Sequence, residues 1–304
     1  MEDATLKQLR SLTAVDRHGS ISAAARELHL TPQAVGQQIR LLERAAGVAL
    51  IVRSPRGLTP TGAGRRVIDA AHNVELELAA CRRDLNAMVS GLVGNVTIGV
   101  VSTAKYFAPY MVAAFRSAHK DISVDLIIGN RSDILRSMDD VNVDVYIMGR
   151  PPDHPPLVQH VIGPHPHLVV ARPSHPLASE ERIRWKSLAN EPFLMRESSS
   201  GTRRIIDSLL ARAGISPPIG MEIATNETLK QAVMAGLGIA FLSAHTTATE
   251  LADGRLVALS VDGTPVMREW MVVRHEHVPL SPAAELVWTF LVEEGANHLP
   301  YVMY

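Results

Sequence analysis

Hydroxyl and cationic side chains follow a short apolar run in the segment GVVSTAKYFAP, at Ser102, Thr103 and Lys105. A hydroxyl at a strand end acts as a nucleophile when a base and an orienting carboxylate stand beside it, and otherwise it can hydrogen-bond a small ligand. No G-x-S-x-G motif surrounds Ser102, which disfavours a nucleophile. The pattern therefore favours a ligand site, with simple helix capping as the alternative.

Polar and basic residues recur where other apolar runs of the C-terminal two thirds end. The segment SSSGT precedes a predicted helix, and its small residues let backbone amides converge on an anion. Ligands of α/β sheets bind beyond the carboxyl ends of strands, so we expect one cleft, with Arg131 and Arg196 as further nearby cations. We predict an anionic ligand that carries a carboxylate or a phosphate, and for each residue the alternative is a helix cap or a solvated side chain. The predicted ligand-binding residues are Ser102, Thr103, Lys105, Asn130, Arg150, Thr202, Arg203 and Asn226.

Histidines in one stretch of the chain raise the question of a metal site. His165 and His167 form an H-x-H pair beside prolines, with His160 and His175 on either side. The pair lacks the carboxylate and the spacing of zinc motifs, so packing or surface roles are predicted. The segment GLGIAF has no G-x-G-x-x-G pattern and follows a helix, which disfavours a dinucleotide fingerprint. We expect no metal and no bound cofactor.

Strands and helices alternate from Gly94 onward, which predicts a parallel sheet flanked by helices. The first strands are NVTIGVV, ISVDLIIGN and DVYIMGR, and a second unit runs from HLVVARP to IAFLS. The chain returns with EWMVVRH and a last helix opened by Ser281 and Pro282. We predict two crossovers, near 151–163 and 264–268. They separate subdomain I (about 94–162 and 267–304) from subdomain II (about 163–266).

The first sixty residues predict three helices and a hairpin. Gly19 ends the first helix, Ser20 caps the short ISAAARELH helix, and Thr31 with Pro32 opens PQAVGQQIRLLERAAG. The buried face of this third helix is predicted at Val35, Ile39 and Leu42, with Gln33, Gly36, Gln37 and Arg40 facing outward. The following VALIVRSPRGLT segment predicts two short strands around a basic turn.

This order of elements is typical of a winged helix-turn-helix. Glutamine and arginine on the exposed face of its second helix can reach base edges or phosphates in the major groove, and a basic wing can follow the phosphate backbone. Residues 1–60 carry eight basic and five acidic side chains, a net charge of +3. A helical domain for protein contacts is the alternative. The predicted DNA-binding residues are Thr31, Pro32, Gln33, Gln37, Arg40, Arg53 and Arg56.

A long helix is predicted after Thr61, with apolar residues spaced four and three apart for about three heptads. A long helix with so narrow an apolar stripe has no core of its own in which to bury that stripe. We therefore predict that it pairs with the same helix of a second copy of the chain. Packing against another domain of the same chain is the alternative. Cys81 is expected to be a buried, inert thiol on this seam. The predicted dimerisation residues are Val67, Ala71, Val74, Leu78, Cys81 and Leu85.

Bulk composition is that of an ordinary globular protein: 304 residues, 46% hydrophobic and 20% charged, with a net charge of −1. That charge excludes a chain that is basic throughout. The start lacks the plan of a signal peptide, and no apolar run approaches the roughly 18 residues of a membrane span. A single cysteine agrees with a reducing compartment. We expect a cytoplasmic protein of two or three domains with no membrane partner.

The motifs SISAAARELHLTPQAVGQQIRLLE and RGLTPTGAG resemble those of the LysR-type transcriptional regulators. The resemblance implies an N-terminal all-α winged helix-turn-helix (1–60), a linker and dimerisation helix (61–90) and an α/β periplasmic-binding-protein-like effector domain of two subdomains (91–304). It also implies a homodimer or homotetramer that binds double-stranded promoter DNA, and not an enzyme. Gly36 departs from the serine or threonine usual in the family, and the wing is shorter than usual.

The motifs GVVSTAKYFAP, GNRSDIL, YIMGRPP, SGTRR and LSPAAE look like those of the CbbR-like regulators, which control Calvin-cycle carbon dioxide fixation operons. This resemblance implies a regulator, with activation expected and repression as the alternative, whose effector is a phosphorylated sugar or acid, or a reduced pyridine nucleotide. The ESSSGT segment departs from the Pro-Gly often found at this point in the subgroup. A solute-binding or sensor protein that uses its helix-turn-helix for protein contacts is the alternative function.

Overall fold

The computed structural model describes residues 4–55, 57–90, 94–139 and 143–303. The chain divides into two compact units, Met1–Cys81 and Arg82–Tyr304. Within the described ranges, no helix combines the length and the apolar character needed to cross a membrane.

The first unit contains the three predicted helices, α1 (Leu6–His18), α2 (Ile21–Glu27) and α3 (Pro32–Ala46). Gly19 ends α1 in a left-handed conformation with φ of 62°, and the Thr31 hydroxyl accepts a hydrogen bond of 3.2 Å from the Ala34 amide. Ser20 precedes α2 but makes no side-chain capping bond. The end of α1 and the start of α3 therefore follow from local capping chemistry.

The predicted wing is a hairpin of β1 (Ile51–Ser54) and β2 (Gly57–Pro60), which pair antiparallel. The Leu58 amide donates to the Gly19 carbonyl at 2.9 Å, which ties the hairpin to the end of α1. Gly57 has φ of 110°, and a Cβ there would lie 2.6 Å from the Gly19 oxygen. This close approach requires glycine at position 57.

The helix α4 (Gly62–Ser90) begins where Thr61 accepts a 2.9 Å hydrogen bond from the Gly64 amide. Its first turns pack on the same unit, since Val67 contacts the buried cluster that contains Leu12 and Leu42. Ala71, one turn further along α4, is 2% exposed. Val67 and Ala71 thus already have cover within their own chain, and their place in an intermolecular seam stays a prediction.

The second unit is an α/β structure. Its strands are β3 (Gly94–Val101), β4 (Ile122–Gly129), β5 (Val145–Met148), β6 (Leu157–Ala171), β7 (Phe193–Arg196), β8 (Ile219–Ile223), β9 (Ala240–Ser243), β10 (Val257–Ala258) and β11 (Val266–His275). Its helices are α5 (Ala108–Ala118), α6 (Arg131–Asp139), α7 (Gly201–Ala213), α8 (Asn226–Met234), α9 (Ala244–Ala252) and α10 (Pro282–Glu294).

One seven-stranded sheet runs through both subdomains in the order β10-β6-β11-β5-β3-β4, and β9 also pairs with β6. β3 pairs parallel with β4 and β5, whereas β6 and β11 pair antiparallel along almost their whole length. The crossovers predicted near 151–163 and 264–268 are therefore mostly strand rather than loop. Alternation of hydrophobicity did not reveal this, because residues 157–161 include exposed polar positions.

Each subdomain has its own apolar core. Subdomain I packs α5 and α10 on β3, with Phe107, Met111 and Trp270 fully buried. Subdomain II packs α7 and α8 around β6, β7 and β9. These cores fix the strand ends, and thus the walls of the cleft that lies between the two subdomains.

Candidate ligand cleft and DNA-binding surface

The exposed face of α3 carries the residues predicted to contact DNA. Gln33, Gln37 and Arg40 are exposed at spacings of four and three, which places them along one face of the helix. Thr31 and Pro32 are exposed at its start, as is Arg53 on the wing strand β1, while Arg56 lies outside the described residues.

Gly36 is buried, which contradicts the prediction that it faces outward. A Cβ built on Gly36 would lie 3.5 Å from Nη1 of Arg40 and 4.0 Å from Cδ1 of Ile21. The guanidinium of Arg40 therefore folds back over the glycine, and this covers the position.

A cleft of about 570 Å³ lies between the two subdomains of the second unit. Its walls come from the end of β3, the start of α6, the residues after β5, the start of α7, and the paired strands β6 and β11. Among the predicted ligand-binding residues, Ser102, Thr103, Arg150 and Thr202 line it. Strand ends and helix starts thus meet where the topology requires.

Arginines give the cleft its charge. Arg131, Arg150, Arg204 and Arg268 line it, against the single acidic residue Glu269. Burial, and then repulsion from Arg204 and Arg150, lower the pKa of Arg131. None of Arg131, Arg150 and Arg204 forms an ion pair with any residue that the structure describes. The cleft therefore holds clustered positive charge that an anion would neutralise.

Hydroxyl groups and a helix terminus complete the anion-binding chemistry. Ser200 and Thr202 flank Gly201, the first residue of the 13-residue helix α7, and all three line the cleft. The unpaired amides of a helix start and its partial positive charge favour anions. Ser102 and Thr103 supply hydroxyls from the opposite subdomain.

Two buried histidines lie on the β6 side of the cleft. Burial, and then the neighbouring His167 and His245, hold the pKa of His165 well below its usual value, and burial lowers the pKa of His167 to about 4. His165 Nε2 lies 2.9 Å from the Ser243 hydroxyl, and its ring stacks on Trp270 at 3.7 Å. Both imidazoles are therefore neutral at pH 7.

Half of the predicted ligand-binding residues lie outside the cleft lining. Lys105 Nζ is 2.7 Å from Glu227 Oε1, which turns it toward α8. Asn130 caps α6, where its Oδ1 accepts a 3.0 Å hydrogen bond from the Asp133 amide.

Arg203 and Asn226 have structural partners instead. Arg203 pairs with Asp207 at 2.9 Å and with Glu222 at 3.0 Å, which directs it away from the cleft. Asn226 is buried, and its Nδ2 donates to the Ser102 carbonyl at 3.4 Å, so it supports the cleft wall from behind. Arg196 is also buried and pairs with Glu197.

Sequence reasoning missed Arg204, Arg268 and the two histidines as lining residues. Helical phase was the available signal for Arg204, because Gly201, Arg204 and Ser208 are spaced three and four apart and share one face of α7. No comparable signal marked His165 and His167, since their position depends on the pairing of β6 with β11. In the part of the chain that the structure describes, no cluster of three or more His, Cys, Asp or Glu residues could hold a metal ion.

Two family models match the chain. The bacterial regulatory helix-turn-helix protein of the lysR family matches residues 6–65, and the LysR substrate binding domain matches residues 90–296. The chain belongs to the LysR family. The predicted fold, a winged helix-turn-helix followed by a two-subdomain α/β domain, is thereby confirmed for this LysR-type regulator.

Known relatives match almost the whole length of this chain. It is 46% identical over 298 residues to the HTH-type transcriptional regulator CbbR of Xanthobacter flavus, covering 97% of this chain and 90% of that protein. It is 38% identical over 293 residues to the RuBisCO operon transcriptional regulator of Allochromatium vinosum, covering 96% of this chain and 97% of that protein. The predicted resemblance to carbon-fixation regulators is confirmed, and these relatives are transcriptional regulators rather than enzymes.

A solved structure resembles the cleft-bearing unit of this LysR-type regulator. The regulatory domain of Synechocystis PCC6803 CcmR, in complex with 2-PG, matches with a TM-score of 0.63 and 33% identity. The match covers 65% of this chain and 95% of the CcmR domain.

Proposed function

We propose that this LysR-type regulator activates carbon-fixation genes, binding double-stranded promoter DNA through α3 and the wing and responding to a small anionic metabolite in the cleft. The observation that supports an anionic effector is the cluster of arginines in the cleft, which have no paired carboxylate among the described residues. The names of the relatives support the class of regulated genes. Such a protein would work in the cytoplasm, beside the chromosome.

DNA binding would use the exposed face of α3. Gln33, Gln37 and Arg40 would enter the major groove, and Arg53 would meet the phosphate backbone. Thr31 and Pro32 would lie at the N-terminal end of α3, and this end of the helix would face the bases. The exposure of all six side chains is consistent with these roles.

A second copy of the chain would cover α4. Val74, Leu78 and Leu85 are 40%, 44% and 57% exposed, and Cys81 is exposed on the same stripe. Large apolar side chains repeating at heptad spacing favour helix pairing. Two copies present two recognition helices, as a partly palindromic site requires, and pairing of dimers would give a homotetramer.

The effector would bind with its charged group at the arginines. Arg131, Arg150 and Arg204 can each donate to a carboxylate or phosphate, and Ser102, Thr103 and Thr202 can add neutral donors. A phosphorylated sugar or acid fits the charge and the size of the cleft. Linkage then requires that the bound anion favour one arrangement of the protein on DNA over another.

Arg40→Ala should weaken binding to the regulator's own upstream DNA about 10- to 100-fold, because it removes one base or phosphate contact. Electrophoretic mobility shifts at fixed salt measure the effect. Arg116→Ala is the matched control, since it removes an exposed arginine from α5 with the same change of charge. Equal affinities of the two variants would remove Arg40 from the proposed interface.

Arg204→Gln should raise at least tenfold the anion concentration that is needed to change the promoter footprint. DNA affinity without the anion should stay unchanged. The variant keeps hydrogen-bond donors but removes the charge that pairs with the ligand. A footprint of the purified protein, with and without candidate phosphorylated metabolites, measures it. Arg212→Gln, exposed in the last turn of the same helix, is the control. An undiminished response in Arg204→Gln would contradict the placement of the effector.

A further inference from the structure

The segment that follows β3 faces two ways. Ser102 and Thr103 line the cleft, and the next three residues, Ala104–Tyr106, form one helical turn. This turn belongs to subdomain I, but it lies against α9 of subdomain II. One short segment therefore supplies hydroxyls to the cleft and also contacts the opposite subdomain.

Glu227 at the start of α8 is the centre of that contact. Its Oε1 lies 2.7 Å from Lys105 Nζ and accepts a hydrogen bond of 2.7 Å from the Tyr106 hydroxyl. The neighbouring Asn226 is 1% exposed, and its Nδ2 donates to the Ser102 carbonyl at 3.4 Å. The described residues that line the cavity do not include Asn226 or Glu227. These bonds therefore join the subdomains beside the anion site and not within it.

Cations on the two subdomains face each other across the cavity itself. Arg131 and Arg150 belong to subdomain I, and Arg204 belongs to subdomain II. Burial, and then repulsion from Arg204, lower the pKa of Arg131. None of the three arginines forms an ion pair with a described residue. The arrangement that builds the anion site therefore carries an electrostatic cost, which a bound anion would remove.

We propose that a latch between the subdomains holds them in the arrangement that binds the anion, against the repulsion of the cleft arginines. The latch consists of Lys105, Tyr106, Asn226 and Glu227. The latch and the bound anion stabilise the same arrangement, so an intact latch raises anion affinity without touching the anion. This inference rests on the proposed effector function and assigns a regulatory role to residues outside the ligand cavity.

Glu227→Gln tests the latch through the direction of its effect on anion affinity. The variant keeps an acceptor for Tyr106 but removes the charge that pairs with Lys105. By charge alone, the loss of a carboxylate near a basic cleft should tighten anion binding. The latch predicts the opposite, a dissociation constant about three- to tenfold higher, because a smaller fraction of the protein holds the binding arrangement. Isothermal titration calorimetry of the full-length protein with 3-phosphoglycerate, ribose 5-phosphate and inorganic phosphate measures it.

Two further variants locate the effect. Glu222→Gln makes the same change of charge on β8, where Glu222 pairs with Arg203 inside subdomain II, and it should not weaken anion binding. Lys105→Met removes the other charge of the latch. In a protein that already carries Glu227→Gln, it should weaken anion binding by no more than about twofold, because the ion pair is already lost. A Lys105→Met effect of equal size with and without Glu227→Gln would mean that Lys105 contacts the anion directly, and it would overturn the latch.

The distance between the subdomains gives a direct structural readout. Nitroxide labels at Arg136→Cys in α6 and Arg212→Cys in α7, both exposed positions, would report it by pulsed electron paramagnetic resonance. The exposed Cys81 is replaced by serine, and unlabelled protein is added in excess so that distances within one chain dominate. We expect Glu227→Gln to broaden the distance distribution without anion, and a saturating anion to restore it. A distribution identical to that of wild type without anion contradicts the latch.

The outcomes separate the two proposals. Anion affinity in Glu227→Gln that equals or exceeds that of wild type overturns the latch and leaves an anion-binding regulator. Absence of binding by every anion, in wild-type protein that still binds promoter DNA, overturns the effector site and the latch with it.

Discussion

Glu250→Ala is expected to lower the free energy of unfolding by about 3–5 kcal/mol, because it leaves a buried ammonium without its counter-charge. Lys230 Nζ lies 2.8 Å from Glu250 Oε1, and both side chains are 9% exposed. After the substitution Lys230 would keep its 3.0 Å bond to the Thr246 carbonyl, which carries no full charge. Urea unfolding followed by circular dichroism measures the loss.

The matched variants separate charge from packing. The double variant Lys230→Met, Glu250→Leu removes both charges at similar volume and should stay within about 1 kcal/mol of wild type. Asp253→Ala removes an exposed carboxylate from the same region and should change stability by less than about 0.5 kcal/mol. A Glu250→Ala protein as stable as Asp253→Ala would show that water or a rearranged partner compensates the ammonium.

The buried pair also bears on the cleft, because it belongs to a contact between the subdomains. Lys230 lies 4.8 Å from the centre of the Tyr106 ring, and the Tyr106 hydroxyl donates to Glu227 at 2.7 Å. Partial burial opposes ionisation of Glu227, but hydrogen bonds from Lys105 and Tyr106 outweigh it and lower its pKa to about 2. Lys105 therefore forms an ion pair between the two subdomains, a role that its place after Thr103 in the sequence did not indicate.

Local chemistry made the first unit predictable from sequence. Gly19, Thr31 and Pro32 each act within a few residues of their own position, so composition and spacing sufficed to predict α1, α3 and the turn between them. Gly36 was misjudged because its cover is the long side chain of Arg40, which lies four residues further on the same helix face and folds back over the glycine instead of extending into solvent.

The cleft was predictable only in outline. Alternating strands and helices implied a site at strand ends, and Ser102, Thr103, Arg150 and Thr202 do meet there. Adjacent arginines on a helix point about 100° apart, so choosing Arg203 over Arg204 required the phase of α7. His165 reaches the cleft through the register of β6 against β11, a contact between segments about 100 residues apart, which no local pattern encodes.

Two buried histidines, His167 and His245, predict a steep loss of stability in mild acid. Burial lowers the pKa of both His167 and His245 from 6.5 to about 4. Between these values the unfolded chain binds protons that the folded protein excludes, so the free energy of unfolding falls as the pH falls from 6.5 toward 4. Each of the two histidines should cost about 2 kcal/mol at pH 5 and about 3 kcal/mol at pH 4.

Urea unfolding at pH 7.0, 6.0 and 5.0 measures this dependence, and His167→Gln isolates one contributor. Below pH 6.5 its stability should fall less steeply than that of wild type, by about 2 kcal/mol at pH 5. His160→Gln, exposed on β6, is the control and should follow wild type. Identical slopes for wild type and His167→Gln would mean that His167 takes up its proton without unfolding. In that case the proton would add positive charge to a cleft that already holds unpaired arginines, and anion affinity should rise in acid instead.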